Sequence, residues 1–469
     1  MQFYTHVATW GDEILIRGYD EDGKRVAERV AYRPTLYLSS KAPTGFTTIE
    51  GTHVKPHRFS SLRAASNFVK EARDNGTMSM CGMDNFRLAY IADQWPTAPH
   101  VSLDQITVAF LDIEVYAPDG FPDVTTADRE INAITVRWRD KSVTFGRKPF
   151  VTTDPNVHYV ESKSEHMLLS RFLAYWEKLD ADILSGWATA SFDIPYLVNR
   201  IRKLLGEKGV SRLSPWGIVR PRNKIGANGF AIDTYDIYGI ACIDYLEAYR
   251  KFRLKMRESY KLDYIGHVEL DLRKITTDEY DSLAQLADQD YQKFLEYNIR
   301  DVEIVSKLDD KLAYLTLITS LAYFAGVNFE DVFQQTRVWD GIMNRFLMAR
   351  NIVLPPSKVS RKENQIAGAY VMSPVPGKYN WVVSFDAASL YPNTLIALNL
   401  GIETIAAQTY TSSPNDMILS RQAVTTDAGC TLAGNGFGFS KAKKSYLAEA
   451  VQGVLDGRKI AKKAMLDAE

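Results

Sequence analysis

The sequence predicts an α/β chain of several domains with a β-rich N-terminal region. Three observations carry that prediction. At 469 residues the chain is long enough for roughly two to four domains. Its first hundred or so residues read as short strands and turns. Beyond them, apolar runs rich in β-branched residues alternate with stretches of helical apolar spacing, the pattern of an α/β sheet.

Taken in order, "DEILIRGYDEDGKRVAERV" alternates around Asp22-Gly23 and predicts a hairpin. "RFSSLRAASNFVKEARDNG" predicts a helix ending near Asn75-Gly76, and the stretch from Trp95-Pro96 to Pro99 a linker. "ITVAFLDIEVYA" predicts a buried central strand. "EINAITVRWRD" and "SVTFG" predict its neighbours, "EHMLLSRFLAYWEKL" a helix, and "ADILSGWA" a further strand. Residues 217–239 predict an exposed hairpin, and 280–350 are mostly helical in pattern. "NWVVSFDAASLYPNTLIAL" predicts a buried strand, a turn and a helix start, and "KKSYLAEAVQGVLDGRKIAKKAMLDAE" predicts a helix.

Composition narrows the function classes. With 56 basic and 57 acidic residues, overall charge does not announce a nucleic-acid binder. A carboxylate metal site and a basic groove cancel in such a sum. Cys81, Cys242 and Cys430 form no CxxC pair, which argues against zinc and against a disulfide framework. The N-terminus lacks a signal pattern, and no apolar run is long enough to span a membrane. A cytosolic location is the expectation.

Several carboxylates stand in suggestive contexts. Asp112 and Glu114 share one face of the "FLDIEVY" strand and are flanked by apolar residues. Buried carboxylates are costly unless paired or bound to a cation; the plainer alternative is a strand end with two solvated acids. Asp193, in "SGWATASFDIPYLVNRI", precedes Pro195 at a helix start and reads as an N-cap. Tyr297 and Asp301 share one face of the "KFLEYNIRDVEIVSKL" helix, an arrangement that also suits packing plus a hydrogen bond.

Together, "DIE", "SFDxPY" and "Y-x-x-x-D", in that order, resemble the DEDDy 3′→5′ exonucleases, which implies an RNase H-like mixed-sheet domain. The resemblance implies that Asp112, Glu114, Asp193 and Asp301 are metal ligands and that Tyr297 orients the attacking water. Four carboxylates can hold two Mg²⁺, with Mn²⁺ as a substitute, about 3.5–4 Å apart for an in-line displacement. Ala188 stands where the family usually has Asn, which implies a weaker contact to the frayed strand.

"SFDAASLYPNTL" resembles the first palm motif of family B DNA polymerases. This implies that Asp386 and the Ala387 carbonyl bind the catalytic metals. It also implies that the Ser389–Leu390–Tyr391 turn meets the incoming dNTP, with the Tyr391 ring beneath the sugar. Asn393 replaces the common Ser. "AGAYVMSPVPGKY" is similar to the segment that approaches the template, implying DNA contacts at Gly368 and Tyr370. "DGRKIAKKAM" resembles the start of the fingers, where Arg458 and Lys462 would grip the triphosphate. "ACIDYLEAYRKF", "ESYKLDYIG" and "QTRVWDGIMNRFL" narrow the resemblance to the replicative polymerases of T-even-type bacteriophages, from about residue 100 onward and more loosely before it.

That resemblance implies an N-terminal domain (1–102 and 314–357), an exonuclease domain (103–313), a partial palm (358–444) and the start of the fingers (445–469). It implies single-stranded and primer–template DNA as substrates, in the cytoplasm of an infected bacterial cell. The YGDTDS-like palm motif, the fingers helix K-x-x-x-N-x-x-YG and a thumb are absent from the 469 residues. One palm Asp does not organise two metals. The expectation is therefore a split polymerase, completed by a second polypeptide that also carries the sliding-clamp contact; a truncated chain is the competing account. A free-standing exonuclease and a non-catalytic primer–template binding subunit are the alternative functions.

Overall fold

A computed structural model describes residues 1–75, 80–225, 229, 231–355, 372–406, 414–424 and 428–468. It resolves into two compact units: Met1–Tyr32, Ser61–Arg63 and Phe86–Ile342 form one, and Arg33–Ser60, Ala64–Asn85 and Met343–Glu469 the other.

The first unit begins with an antiparallel sheet of Phe3–Trp10, Glu13–Tyr19 and Arg25–Ala31. The second turn closes at Asp20–Lys24, where Gly23 adopts φ +75°, a left-handed conformation that glycine adopts without strain. The main sheet has six strands in the order Val157–Glu161, Lys141–Gly146, Ile131–Trp138, Val108–Val115, Ile183–Gly186, Ala241–Asp244. Ile131–Trp138 runs antiparallel to both its neighbours; the other pairings are parallel. Val108–Val115 is central, and its apolar residues Leu111 and Ile113 are at most 3% exposed.

Helices cover this sheet. Glu165–Leu179 starts at a Ser164 cap that accepts from the Met167 N–H, and it buries Leu168, Leu169, Phe172, Leu173 and Trp176. The spacing of those five residues makes one apolar stripe. Tyr291–Leu312 packs on the strands Val108–Val115 and Ile131–Trp138. The predicted hairpin is present as Val219–Ile225 paired antiparallel with Ala231–Ile237.

The second unit holds a sheet ordered Ile352–Val353, Phe46–Thr48, His53–Arg58, Thr35–Ser39, Met80–Cys81. Its longest helix is Tyr446–Ala468. The buried strand expected in "NWVVSFD" does not form: Trp381 is 97% and Phe385 92% exposed, and no described strand pairs with residues 380–387. An extended segment needs a ladder partner to become a strand, and none is present among the described residues. The helix start is as predicted, at Leu390–Ala397. Gly368 and Tyr370 lie outside the described residues. No helix among the described residues is long and apolar enough to cross a membrane.

Candidate active site

Alternation along Val108–Val115 puts Asp112 and Glu114 on the same face of the central strand. The helix Tyr291–Leu312 brings Asp301 to them. Asp112, Glu114 and Asp301 each offer an oxygen, and the three atoms lie within 4.8 Å of one another, a group able to hold a metal ion. Asp193 is not in that group of three but adjoins it, since its Oδ1 accepts from the Ile113 N–H at 3.0 Å, between the two strand carboxylates.

The predicted capping role of Asp193 is not what the structure shows. The helix begins at Asp193 itself, and the preceding Phe192 makes no side-chain cap. The carboxylate turns across to the neighbouring strand instead. Gly186 itself lies tight against the central strand, where a Cβ would meet the Leu111 carbonyl oxygen at 2.4 Å.

Electrostatics confirm how crowded the site is. Burial first, then the Asp193, Glu114 and Asp301 charges, drives the Asp112 carboxyl well above the usual range. Burial and the Asp301 charge push Glu114 up to about 8. Asp193 is pushed up to about 7, chiefly by burial, against the opposing Ile113 N–H. Burial raises Asp301 to about 6, while the Lys274 ammonium pulls it back. Asp301 Oδ1 is buried without a hydrogen-bond partner. A single ammonium facing four repelling carboxylates, with one orphaned oxygen, is a donor set that fits hard divalent cations.

Three further residues, missed in the sequence, complete the site. Lys274 ion-pairs with Asp301 Oδ2 and donates to the Tyr297 hydroxyl at 2.9 Å. Burial lowers its affinity for a proton, but the Asp301 charge and the hydrogen bonds to Asp301 and Tyr297 more than offset this, and the ammonium is held. Tyr297 and Asp301 thus meet on one face, as their spacing predicts, and Lys274 joins them. Asn298, fully buried, donates to Asp112 Oδ2 at 2.6 Å. Asp244 caps the helix Tyr245–Phe252 and accepts from the Ala188 and Ala190 N–H groups at 3.2 and 3.1 Å. Asp before "YLEAY" is a legible cap signal; its second task is not.

Ala188 sits at φ +62°. Asn tolerates that left-handed conformation better than Ala, which gives a local reason for the Asn expected there.

The second unit places the other predicted residues. Ser389 precedes the helix Leu390–Ala397 at φ +49°. Its hydroxyl lies 3.4 Å from Arg458 Nη1, so the turn and the last helix meet. Leu390 and Tyr391 are 56% and 75% exposed. Asp386, Ala387 and Lys462 are exposed. Asn393 donates to the Ala388 carbonyl at 2.6 Å and so closes this turn.

Sheet, helices and acidic group together form a mixed α/β domain of the RNase H-like kind. Residues 83–265 match the family described as "DNA polymerase family B, exonuclease domain", and residues 329–469 match "DNA polymerase family B". Both matches are to DNA polymerase family B, the first to its exonuclease part and the second to its polymerase part. It is 30% identical over 499 residues to the DNA-directed DNA polymerase of Escherichia phage RB69, covering 100% of this chain and 54% of that protein. It is 29% identical over 497 residues to that of Enterobacteria phage T4, with the same coverage of 100% and 54%. The DNA polymerase delta catalytic subunit of Dictyostelium discoideum is 27% identical over 322 residues, covering 65% of this chain and 28% of that protein. The chain spans about half the length of the two phage relatives.

Proposed function

We propose that this chain removes nucleotides from the 3′ ends of single-stranded or frayed primer DNA, and that it contributes part of a nucleotidyl-transfer site. The observation that carries the exonuclease reading is the packed carboxylate group Asp112, Glu114 and Asp301, beside Asp193.

Two Mg²⁺, or Mn²⁺, held by Asp112, Glu114, Asp193 and Asp301 would supply an activated water and neutralise the leaving 3′ oxygen. Tyr297 would orient that water through its hydroxyl, to which Lys274 donates at 2.9 Å. Asn298 aims Asp112, and the Ile113 N–H aims Asp193. In that step the water oxygen would bond to phosphorus as the P–O3′ bond breaks, the proton the water gives up would end on the 3′ oxygen of the shortened strand, and a nucleoside 5′-monophosphate would leave.

In the proposed domain plan, residues 1–102 with 314–357 form the N-terminal domain and 103–313 the exonuclease domain. Residues 358–444 form part of the palm and 445–469 the start of the fingers. Asp386 and the Ala387 carbonyl belong to the polymerase metal site; Ser389, Leu390, Tyr391, Arg458 and Lys462 meet the dNTP. A second polypeptide supplies the other palm carboxylate, the remaining fingers and the thumb, and through it the sliding clamp. The exposed, unpaired Trp381 and Phe385 support a covering partner for this part of the chain.

The test is shortening of 5′-labelled single-stranded DNA in Mg²⁺. The double variant Asp112→Ala, Glu114→Ala abolishes it; undiminished shortening by that variant refutes the exonuclease reading. For the polymerase part, primer extension appears when the polypeptide carrying the second palm carboxylate is added, and Asp386→Ala removes it.

A further inference from the structure

Residues 250–261 read RKFRLKMRESYK, six basic residues and one acidic, in a chain whose net charge is −1. Three of the cations have partners: Arg257 pairs with Glu269 at 2.5 Å, Lys251 donates to the Phe333 carbonyl at 3.2 Å, and Arg253 Nη2 donates to the Met256 sulfur at 2.7 Å. Among the described residues, no carboxylate pairs with Arg250, Arg253, Lys255 or Lys261. Between these cations, Leu254 is 100% and Met256 78% exposed. Beneath the loop lies a cluster of rings. Arg250 and Arg253 each sit 5.0 Å from the Tyr260 ring centroid, and Tyr249 lies 6.3 Å from Tyr260 and 6.1 Å from Trp187.

The C-terminal end of the loop is tied to the active site in two ways. The Trp187 indole N–H donates to the Tyr260 carbonyl at 3.2 Å, and Trp187 directly follows Gly186, whose Cα faces the carbonyl next to Asp112. Directly after Tyr260 and Lys261, the chain enters the helix Leu262–Leu270, which packs on the helix carrying Tyr297 and Asp301.

We infer that this loop is a second contact strip for the single strand whose 3′ end enters the carboxylate site. Arg250, Arg253, Lys255 and Lys261 take its phosphates, and Leu254 and Met256 press on its bases. Unpaired cations interleaved with exposed apolar tips match a strand that offers phosphates and base faces together, which only unpaired nucleic acid does. An acidic protein would pair the cations but leave no reason for the ring-backed guanidinium groups beside the site. The inference rests on the exonuclease reading for the strand's direction, not for its binding.

The test uses the full chain with Asp112→Ala and Glu114→Ala, so that the DNA survives, and reads the fluorescence anisotropy of labelled oligothymidylates. Arg253→Ala with Lys255→Ala lowers the slope of log affinity against log salt by about 1.4, or about 0.7 for each lost phosphate contact. The loss shows with a strand of about sixteen nucleotides and not with one of about four, which the carboxylate site alone fills. In the otherwise wild-type chain the same pair raises KM for the long strand about tenfold and leaves kcat unchanged, as expected for a contact made equally before and during reaction. Exposed Lys255→Glu alone, which cannot disturb the core, gives the same direction. An unchanged slope and affinity overturns the inference, as does tight capture of a protein with no loss of DNA binding. If the wild-type chain fails to shorten DNA, the exonuclease reading falls while the anisotropy still decides the loop.

Discussion

The Lys274 ammonium donates to the Tyr297 hydroxyl at 2.9 Å and simultaneously pairs with Asp301. One cation therefore contacts both the hydroxyl proposed to orient water and a carboxylate of the proposed metal site. Lys274→Met keeps the bulk and removes the charge. Single-turnover shortening slows about 100-fold, the scale of a lost positioning or electrostatic contact. Tyr297→Phe on top of it adds little, because the two act as one unit. A fully additive double variant refutes the coupling.

Asn298 has no exposure, and its amide reaches Asp112 at 2.6 Å while its carbonyl oxygen accepts from Thr135. Asn298→Ala leaves the Thr135 hydroxyl and Asp112 short of a partner, which costs about 1–3 kcal/mol. Asn298→Asp is worse without metal, since a fifth carboxylate faces four. Urea unfolding in EDTA ranks the three proteins wild type, Ala, Asp in falling stability. Excess Mg²⁺ narrows the gap to the Asp variant more than the gap to the Ala variant.

The raised carboxyls make the metal-free protein pH-sensitive. Glu114 is pushed up to about 8, Asp193 to about 7 and Asp301 to about 6. Each therefore holds its proton more tightly in the folded chain than in the unfolded one. Their contribution to stability is complete below the ordinary carboxylate range and is lost as pH rises through these folded values. In EDTA the melting temperature thus falls steadily between about pH 5 and pH 8 on this account. Mg²⁺ binds the ionised form, so it lifts the melting temperature strongly at the alkaline end and little at the acid end. Equal Mg²⁺ stabilisation at both ends argues against a carboxylate metal site.

What the sequence made legible here was whatever has a period or a fixed neighbour. Asp112 and Glu114 follow strand alternation, and Tyr297 and Asp301 follow the helical turn, so residue spacing placed them correctly. Asp193 read as a cap because Pro195 marks a helix start; only the fold shows the helix beginning one residue earlier and the carboxylate crossing to Ile113. Lys274 lies after the helix Leu262–Leu270, in a stretch with no repeating pattern. Asn298 looks like an ordinary polar residue on a helix until the strand carrying Thr135 covers it. Apolar "NWVVSFD" announced a need for burial, but composition does not say where a ladder partner comes from.

Ala188 tests backbone strain next to the site. It is held at φ +62° by its N–H bond to Asp244, a conformation that costs an L-residue roughly 1–2 kcal/mol. Ala188→Gly or Ala188→Asn relieves part of that, raising stability by about 0.5–1 kcal/mol. Differential scanning calorimetry at fixed Mg²⁺ reads the gain. Asn additionally lowers KM for single-stranded DNA if this position meets the strand; Gly does not, and that difference separates strain relief from contact.

The N-terminal strands are joined to the exonuclease sheet by a buried polar knot centred on Asp182, which has no exposure. Its carboxylate accepts from the Thr5 hydroxyl at 2.9 Å, the Tyr19 hydroxyl at 2.7 Å and the Thr107 N–H at 2.9 Å, and it forms a two-point pair with Arg25. Beside it Arg17, only 1% exposed, donates to the Ala181 and Gly239 carbonyls and to Asp180. Removing one partner from such a network strands the others in a medium that cannot solvate them. Asp182→Ala therefore costs about 3–5 kcal/mol, the range for breaking a buried charge pair. Asp182→Asn keeps the shape but forfeits the charge-assisted bonds and falls between. The same geometry predicts that residues 103–313 expressed without residues 1–102 give a protein with exposed apolar surface and weak Mg²⁺ response, because Asp182 immediately precedes the strand Ile183–Gly186, which pairs with the strand carrying Asp112. A stable, active 103–313 fragment shows that the knot is dispensable and that the sheet folds without it.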